Sequence, residues 1–235
     1  MRIPRLGSGA AAPFPPVSEA MDEPNGLLAW GGGLEPERLL NAYRHGIFPW
    51  YGSGQPILWW SPDPRCVIHP AGLHVSRRLA RRLRQRPFRD TADRAFDEVV
   101  LACARPRRGE TETWITPDMA RAYGRLHALG WAHSVEIWRG EELVGGIYGL
   151  SIGGAFFGES MFSAERDASK FALVALCRQL VAWGHTLLDC QVTNPHLLSL
   201  GAVEVPRPAF IAALGEALLQ DTRRGAWTDA YEPRL

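Results

Sequence analysis

The chain has 235 residues, a formal net charge of +1 and 46% hydrophobic residues, enough length and apolar content to bury a real core. Near-neutrality excludes a globally basic nucleic-acid coat or an acidic tail, so any basic partner surface must be local. Cys66, Cys103, Cys177 and Cys190 form no CxxC pair, no charged-then-apolar leader opens the chain, and no apolar run approaches the ~20 residues of a membrane span; the expectation is a cytoplasmic protein, off the membrane, with its cysteines in the core.

In chain order, the first sixty or so residues hold Pro13, Pro15, Pro16, Pro24, Pro36, Pro49 and Pro56 and the run Gly31 to Gly33. That texture predicts a compact, turn-rich unit with one short helix, Glu35 to His45, which carries Pro36 in its first turn. "PILWWSPDPRCVIHP" reads as two short strands broken at Pro62 and Pro64. The domain boundary is therefore placed there, with a small N-terminal domain at 1–65 and a larger one at 66–235. Next come a basic helix from Ser76 to Arg86, a helix across Ala95 to Cys103 and another from Pro117 to Leu129. "HSVEIWRGEELVGGIYGLSIGGAFFGESMF" alternates apolar runs with Arg139-Gly140 and Gly153-Gly154, which predicts an antiparallel meander. Ala168 to Trp183 has helical apolar spacing and stops at Gly184, a good cap. "TLLDCQV" adds a strand, and short helices follow near Pro195 to Leu200 and Pro208 to Leu219. The fold class is α+β, with helices laid against one mixed sheet.

Two stretches carry candidate chemistry. In "FFGESMFS" a single carboxylate, Glu159, sits in an apolar strand, where it needs a cation, hydrogen-bond donors or a raised pKa. In "LLDCQV", Asp189 and Gln191 are two apart, which on a regular strand puts both on one face. A carboxylate beside an amide there can orient the amide against an ester carbonyl and draw a proton from an incoming amine; a structural pair at a sheet edge is the alternative. No GxSxG elbow and no cysteine with an evident histidine partner points to a covalent nucleophile. The seven histidines are scattered without ligand spacing, so no metal site is expected. The helix "SRRLARRLRQRPFR" sets Arg77, Arg78, Arg81, Arg82, Arg84 and Arg86 around the stripe Val75, Leu79, Leu83. Folding does not ask for like charges at i,i+4, so the face binds phosphates or is a solvated face of a chain whose basic residues are all arginine except Lys170.

The element order resembles the GNAT acyltransferase fold, where the acyl donor sits between two splayed strands. GNAT enzymes that use coenzyme A have a glycine-rich turn before the central helix to hold pyrophosphate. Here that turn is "FSAERDASK", without glycine and with Glu165 and Asp167, which are expected to repel an anion. More specifically, "PNGLLAWGGGL", "GIFPWY", "PILWWSPDPR", "TWITPDMARAYGRLHALGWAHSVE", "ELVGGIYGL", "GESMFS" and "DCQV" followed by "SLGA" resemble the leucyl/phenylalanyl-tRNA-protein transferase family, along nearly the whole chain from Pro13 to Leu214.

The resemblance implies a GNAT acyltransferase-like C-terminal domain behind a small N-terminal one, and no coenzyme or metal. It implies transfer of leucine or phenylalanine, less readily methionine, from aminoacyl-tRNA to the α-amino group of proteins beginning with Arg or Lys, marking them for N-degron degradation. It places a catalytic pair at Asp189 and Gln191, the terminal adenine of the tRNA on Trp50 and Trp114, and the aminoacyl side chain among Ile147, Phe156, Leu173 and Leu176 with Tyr123 nearby. Arg77, Arg78, Arg81 and Arg82 are the candidate tRNA contacts. Glu159 is assigned to the acceptor's basic end or to positioning its amine, the alternative being satisfaction by backbone donors or by Arg166. Trp59, Trp60, Trp131, Trp138 and Trp183 are expected in the core. A monomer is expected because no long apolar surface helix is left over. A coenzyme A-dependent N-acyltransferase and a non-catalytic RNA-binding module are the competing readings.

Overall fold

In the computed structural model, residues 3–9, 12–106 and 113–235 are described. Near the N-terminus, β1 (Arg5–Leu6), β2 (Leu27–Gly31), β3 (Phe48–Pro49) and β4 (Leu58–Trp60) form a small sheet in the order β1-β2-β4-β3, with helix α1 (Pro36–Arg44) between β2 and β3. A seven-stranded sheet takes the rest: β5 (Arg65–Ile68), β6 (Arg89–Ala92), β7 (Ala132–Arg139), β8 (Glu142–Ile152), β9 (Ala155–Ser163), β10 (Leu187–Gln191) and β11 (Val203–Val205), ordered β11-β5-β10-β9-β8-β7-β6. Between them run α2 (Arg77–Arg84), α3 (Phe96–Cys103), α4 (Pro117–Ala128), α5 (Ala168–Ala182), α6 (Pro195–Ser199) and α7 (Arg207–Leu218). This is the α+β, acyltransferase-like layout expected: an antiparallel meander β7-β8-β9, a crossover helix α5, and β10 returning parallel to β9.

Local sequence explains the helix ends. Ser76 caps α2, its hydroxyl accepting from Leu79 N at 3.3 Å, and Thr116 caps α4 in the same way from Met119 N. Gly184 leaves α5 at φ +80°, a conformation few side chains tolerate. Strands β1, β2, β3, β6 and β11 are not foreseen from sequence, β1 and β3 being only two residues each. "LLAWG" is masked by its turn-rich surroundings, while "RDTA" and "VEV" are too short to show a period of two; pairing with β4, β7 and β5 makes them strands.

The core lies on both faces of the large sheet. One face carries Tyr148, Leu150 and Phe157 against α1, α3, α4 and α7, and is continuous with Leu28 and Trp59 of the small sheet. The other carries Ile147, Phe156 and Leu188 against α5 and α2.

Two β-bulges shape the sheet's middle. Strand β9 pairs with β10 only over Ala155–Phe157. On its other side Gly158 opposes Gly149 and Ser160 opposes Tyr148, which leaves Glu159 as the extra, unopposed residue. On β10, Asp189 opposes Val67 and Gln191 opposes Cys66, so Cys190 is extra and Gln191 takes φ +57°. A bulge bends its strand and re-aims the side chain it carries; here one lies on each side of the point where β9 and β10 part. The second bulge corrects the expectation for "LLDCQV". With Cys190 skipped, Asp189 and Gln191 occupy consecutive register positions, so the alternation of a regular strand does not place them on one face.

Candidate active site

The bulge on β9 aims Glu159 at two tyrosines brought by two helices. Tyr43 of α1 donates its hydroxyl to Oε1 at 2.7 Å, and Tyr123 of α4 donates to Oε2 at 2.6 Å. The two phenolic oxygens are themselves 2.6 Å apart, and Gln191 Nε2 approaches Oε1 at 3.4 Å. Three short O···O contacts join two hydroxyls and one carboxyl, and each hydroxyl supplies one proton. With Glu159 ionised, two protons serve three contacts; with Glu159 protonated, all three are hydrogen bonds. Burial pushes the Glu159 carboxyl up to about 7, with the charge of Asp189 adding to this, while the hydroxyls of Tyr123 and Tyr43 and the charge of Arg65 oppose it. Burial, then the charge of Glu159, holds Tyr43 and Tyr123 well above the ordinary phenol range, so both remain donors.

Tyr43 is absent from the sequence-based candidates: it lies 116 residues from Glu159, in a helix whose pattern marks it only as core. Tyr123, expected beside an apolar pocket, instead spends its hydroxyl on Glu159. Arg166 is not Glu159's partner; it lies 3.8 Å from Asp167.

Asp189, whose charge reaches Glu159, has a partner of its own. Arg65 Nε and Nη2 bind its two oxygens at 2.8 and 2.7 Å, with both side chains fully buried. The guanidinium also donates to Gly46 O at 3.0 Å and packs on the rings of Phe48 and Phe210. Asp189 Oδ1 accepts in addition from Gln191 N at 2.9 Å. Both Asp189 oxygens are thus engaged by Arg65, and through Oδ1 Asp189 holds the backbone of Gln191 at its left-handed bend. Arg65, overlooked in the sequence, is what neutralises it.

Two adjoining cavities open where β9 and β10 part. One, of about 210 Å³, is lined by Trp50, Trp114, Phe48, Glu159 and Gln191. The other, of about 120 Å³, is lined by Ile147, Leu173, Met161, Leu188 and Leu197 together with Glu159 and Gln191. Cys190 lines both. Trp50 is 45% exposed, so its face is available to a planar ligand. Trp60 braces it, with ring centroids 5.7 Å apart and its Nε1 donating to Trp50 O. Of the five tryptophans expected in the core only Trp59 is sealed; Trp60, Trp131, Trp138 and Trp183 are partly exposed. Of the expected apolar pocket, Ile147 and Leu173 line the smaller cavity, whereas Phe156 and Leu176 are fully buried behind it and line neither. Met161, Leu188 and Leu197 stand in their place.

Arg77, Arg78 and Arg81 project from α2 exposed, without an ion-pair or side-chain hydrogen-bond partner among the described residues. Arg82 differs. It donates to Arg166 O at 2.8 Å and to Asp167 Oδ2 at 2.6 Å, tying α2 to the start of α5, so it is spent within the fold. The carboxylates of "FSAERDASK" are likewise neutralised, Glu165 by Arg139 and Asp167 by Arg82 and Lys170. Repulsion is therefore not what denies an anion the α5 N-terminus. Its first amides are already used: Ala168 N bonds to Glu165 O, Ser169 N to Ser163 Oγ and Lys170 N to Asp167 O.

Among the described residues no cluster of three or more His, Cys, Asp or Glu side chains could hold a metal ion, and no helix is long and apolar enough to cross a membrane. A mixed sheet whose parting strands enclose a tyrosine-held carboxylate, an aromatic platform and an apolar recess defines an acyltransferase-like cleft. Residues 67–215 match the family model described as leucyl/phenylalanyl-tRNA protein transferase, and residues 32–63 match that of its N-terminal domain. The chain is 60% identical over 217 residues to the leucyl/phenylalanyl-tRNA–protein transferase of Alkalilimnicola ehrlichii, covering 92% of this chain and 84% of that one. It is 56% identical over 228 residues to the protein of the same name from an Anaeromyxobacter species, covering 97% and 95%. More distantly, 72% of it matches 60% of a GCN5-related N-acetyltransferase from Kribbella flavida at 12% identity and a TM-score of 0.39, less than two thirds of that protein. The chain belongs to the leucyl/phenylalanyl-tRNA-protein transferase family.

Proposed function

We propose that this protein transfers leucine or phenylalanine, and less readily methionine, from aminoacyl-tRNA to the α-amino group of proteins that begin with Arg or Lys. We divide it at residue 65, the small domain 1–65 contributing Tyr43 and Trp50 and the larger domain 66–235 contributing Glu159, Gln191 and the apolar recess. In this reading the terminal adenine lies on Trp50 and Trp114, where stacking is worth about 1–3 kcal/mol. The aminoacyl side chain enters the recess of Ile147 and Leu173. The acceptor's cationic end meets Glu159.

The carrying observation is Glu159 itself, a carboxyl at the junction of both cavities with a pKa pushed up to about 7. An aminoacyl ester is already activated, so the protein need only place a neutral amine, take its proton and steady the oxyanion. Ionised Glu159 accepts a proton from the α-ammonium. The freed amine attacks the ester carbonyl, the C–N bond forms as the ester C–O bond breaks, and the remaining surplus proton leaves on the ribose hydroxyl. Gln191, oriented through Asp189 and Arg65, offers its amide N–H to the developing oxyanion. Phe156, Leu176 and Tyr123 support the walls from behind.

The test is incubation with radiolabelled Leu-tRNA and an Arg-initiated peptide, with labelled acetyl-CoA as a separate donor. Label should reach the peptide from Leu-tRNA alone and be lost when the peptide's α-amine is blocked. Label arriving only from acetyl-CoA overturns the reading, and tRNA binding without transfer favours an RNA-binding module.

A further inference from the structure

The extra residue in the β10 bulge is a cysteine, and its sulfur has a neighbour. Cys190 lines both cavities of the cleft. Cys66, fully buried on the adjacent strand β5, is the register partner of Gln191. The Cys66 side chain lies within hydrogen-bonding reach of the Cys190 and Thr193 side chains, while the Cys190 thiol donates to Leu188 O at 3.9 Å. The geometry points to a covalent modification site: a reversible Cys66–Cys190 disulfide, formed when a hydroperoxide enters through the substrate cleft.

Proximity comes first. A disulfide spans Cα atoms ~4.4–6.8 Å apart, and antiparallel register partners such as Cys66 and Gln191 sit ~4.5–5.5 Å apart. The bulge inserts Cys190 beside that pair, within side-chain reach of Cys66, so the bond can close with a small shift of the bulge. Access is asymmetric. A small oxidant in either cavity meets Cys190, whereas Cys66 is sealed beneath it.

The two sulfurs also differ in reactivity. The hydrogen bond from Cys190 holds the Cys66 thiol below its ordinary range, against burial and with help from Thr193. The bond to Cys66, then burial, holds Cys190 above it. Access sets the order: Cys190, at both cavity walls, is oxidised first, slowly because the thiolate is the reactive form, and buried Cys66 is the sulfur that attacks it. The steps balance. The Cys190 thiol and a hydroperoxide give a sulfenic acid and an alcohol, or water from hydrogen peroxide. Cys66 thiolate then attacks the sulfenic sulfur, the S–S bond forms, and hydroxide leaves as water after taking a proton. A dithiol reverses the bond by exchange.

The consequence for catalysis rests on the transfer reading above; the cross-link itself does not. Closing the sulfurs to a bond of ~2 Å draws Cys190 out of the cavity walls and pulls on the bulge that orients Gln191; a misplacement there of about 1 Å lowers transfer by about 10²-fold.

The experiment treats the full chain with excess hydrogen peroxide, blocks remaining thiols with N-ethylmaleimide, and reads intact mass, peptide map and transfer from Leu-tRNA to an Arg-initiated peptide. The expected result is loss of two hydrogens, one cross-linked peptide pair joining Cys66 and Cys190, and transfer that falls with the cross-link and returns with dithiothreitol. An aminoacyl-adenosine analogue filling the cleft should slow the cross-link. Cys66→Ala, at a residue that lines neither cavity, should keep basal transfer and form no such pair. Absence of the pair in the unsubstituted chain, with Cys190 carried instead to sulfinic acid, overturns the site. A cross-link that leaves transfer unchanged overturns its hold on the cleft. A chain inactive before oxidation would count against the transfer reading alone, since the mass change is read without it.

Discussion

Glu159 and Glu136 stand on the same sheet and solve the same problem in the same way, yet only one has the makings of a catalyst. Glu136, on β7, is fully buried and accepts from the hydroxyls of Ser134 and Thr91. Glu159 accepts from the hydroxyls of Tyr43 and Tyr123. Burial raises the pKa of both. The difference is access: Glu136 lines none of the cavities described here, whereas Glu159 borders two. Two hydroxyls are how this fold hides a carboxylate; a bulge at the parting of two strands is how it exposes one.

The sharpest way to break that comparison is to neutralise each glutamate. Glu159→Gln should lower transfer at saturating Leu-tRNA by about 10²–10⁴-fold, the range for losing a general base, with tRNA affinity and the folded circular-dichroism spectrum retained. Glu136→Gln should leave transfer close to that of the unsubstituted chain. Equal losses in both would make Glu159 one more structural carboxylate.

Asp189 supplies the third case, a buried carboxylate met by a cation. Arg65→Met strands its charge and should destabilise the fold by about 3–5 kcal/mol, read from urea denaturation. Asp189→Asn with Arg65→Met should recover part of that loss. If the double variant is no more stable than the single, Arg65 acts through its packing on Phe48 and Phe210 and not through its charge.

A smaller effect tests the tyrosines. If Glu159 is the base proposed above, it works when ionised, and transfer should rise with pH through about 7. Tyr123→Phe removes a donor to the ionised form, raises the pKa further, and should move the midpoint up by about 1–2 pH units. The stability sign is opposite to the usual carboxylate case. A folded pKa above the unfolded value means the native state holds the extra proton, so this group's contribution falls as pH rises from the ordinary glutamate range to about 7. Glu159→Gln should flatten that slope. A midpoint unmoved in Tyr123→Phe would assign the titration to another group.

How much of this is legible in the sequence follows from what each signal contains. Helix α5 is plain, because fifteen residues of helical spacing and a stop at Gly184 are local facts. "FFGESMF" shows that a carboxylate is buried, but "HSVEIW" shows the same, and nothing local distinguishes them. The cleft depends on two register shifts that no alternation pattern reveals, so Asp189 and Gln191 look like facial neighbours until Cys190 is seen to be skipped. Arg65 and Tyr43 reach their partners across 124 and 116 residues, and in the sequence each is simply an arginine after a proline or a tyrosine in a helix. Family words give Glu159, Trp50 and Trp114 their proposed roles; the Arg65 pair and the tyrosine pair appear only with the fold.

The arginine helix repeats the lesson with the opposite charge, and its effect is the smallest. Of the five arginines on α2, the four taken as tRNA contacts look alike in sequence, but Arg82 is tied to Asp167 and Arg166 O while Arg77, Arg78 and Arg81 reach solvent. If the exposed three neutralise tRNA phosphates, each releases condensed counterions, and log K falls with log salt by about 0.9 per phosphate on duplex. Arg78→Ala with Arg81→Ala should therefore reduce that slope by about 2 and weaken binding modestly at low salt, with no loss of folding. Arg82→Ala should leave the slope alone, since its charge is already met by a carboxylate, and should instead loosen α2 from the start of α5, seen as faster amide exchange there. Filter binding across a salt series separates the two cases. A slope that drops for Arg82→Ala and not for the exposed pair would reverse the assignment, placing the phosphate path over the α5 turn and leaving the outer face of α2 to solvent.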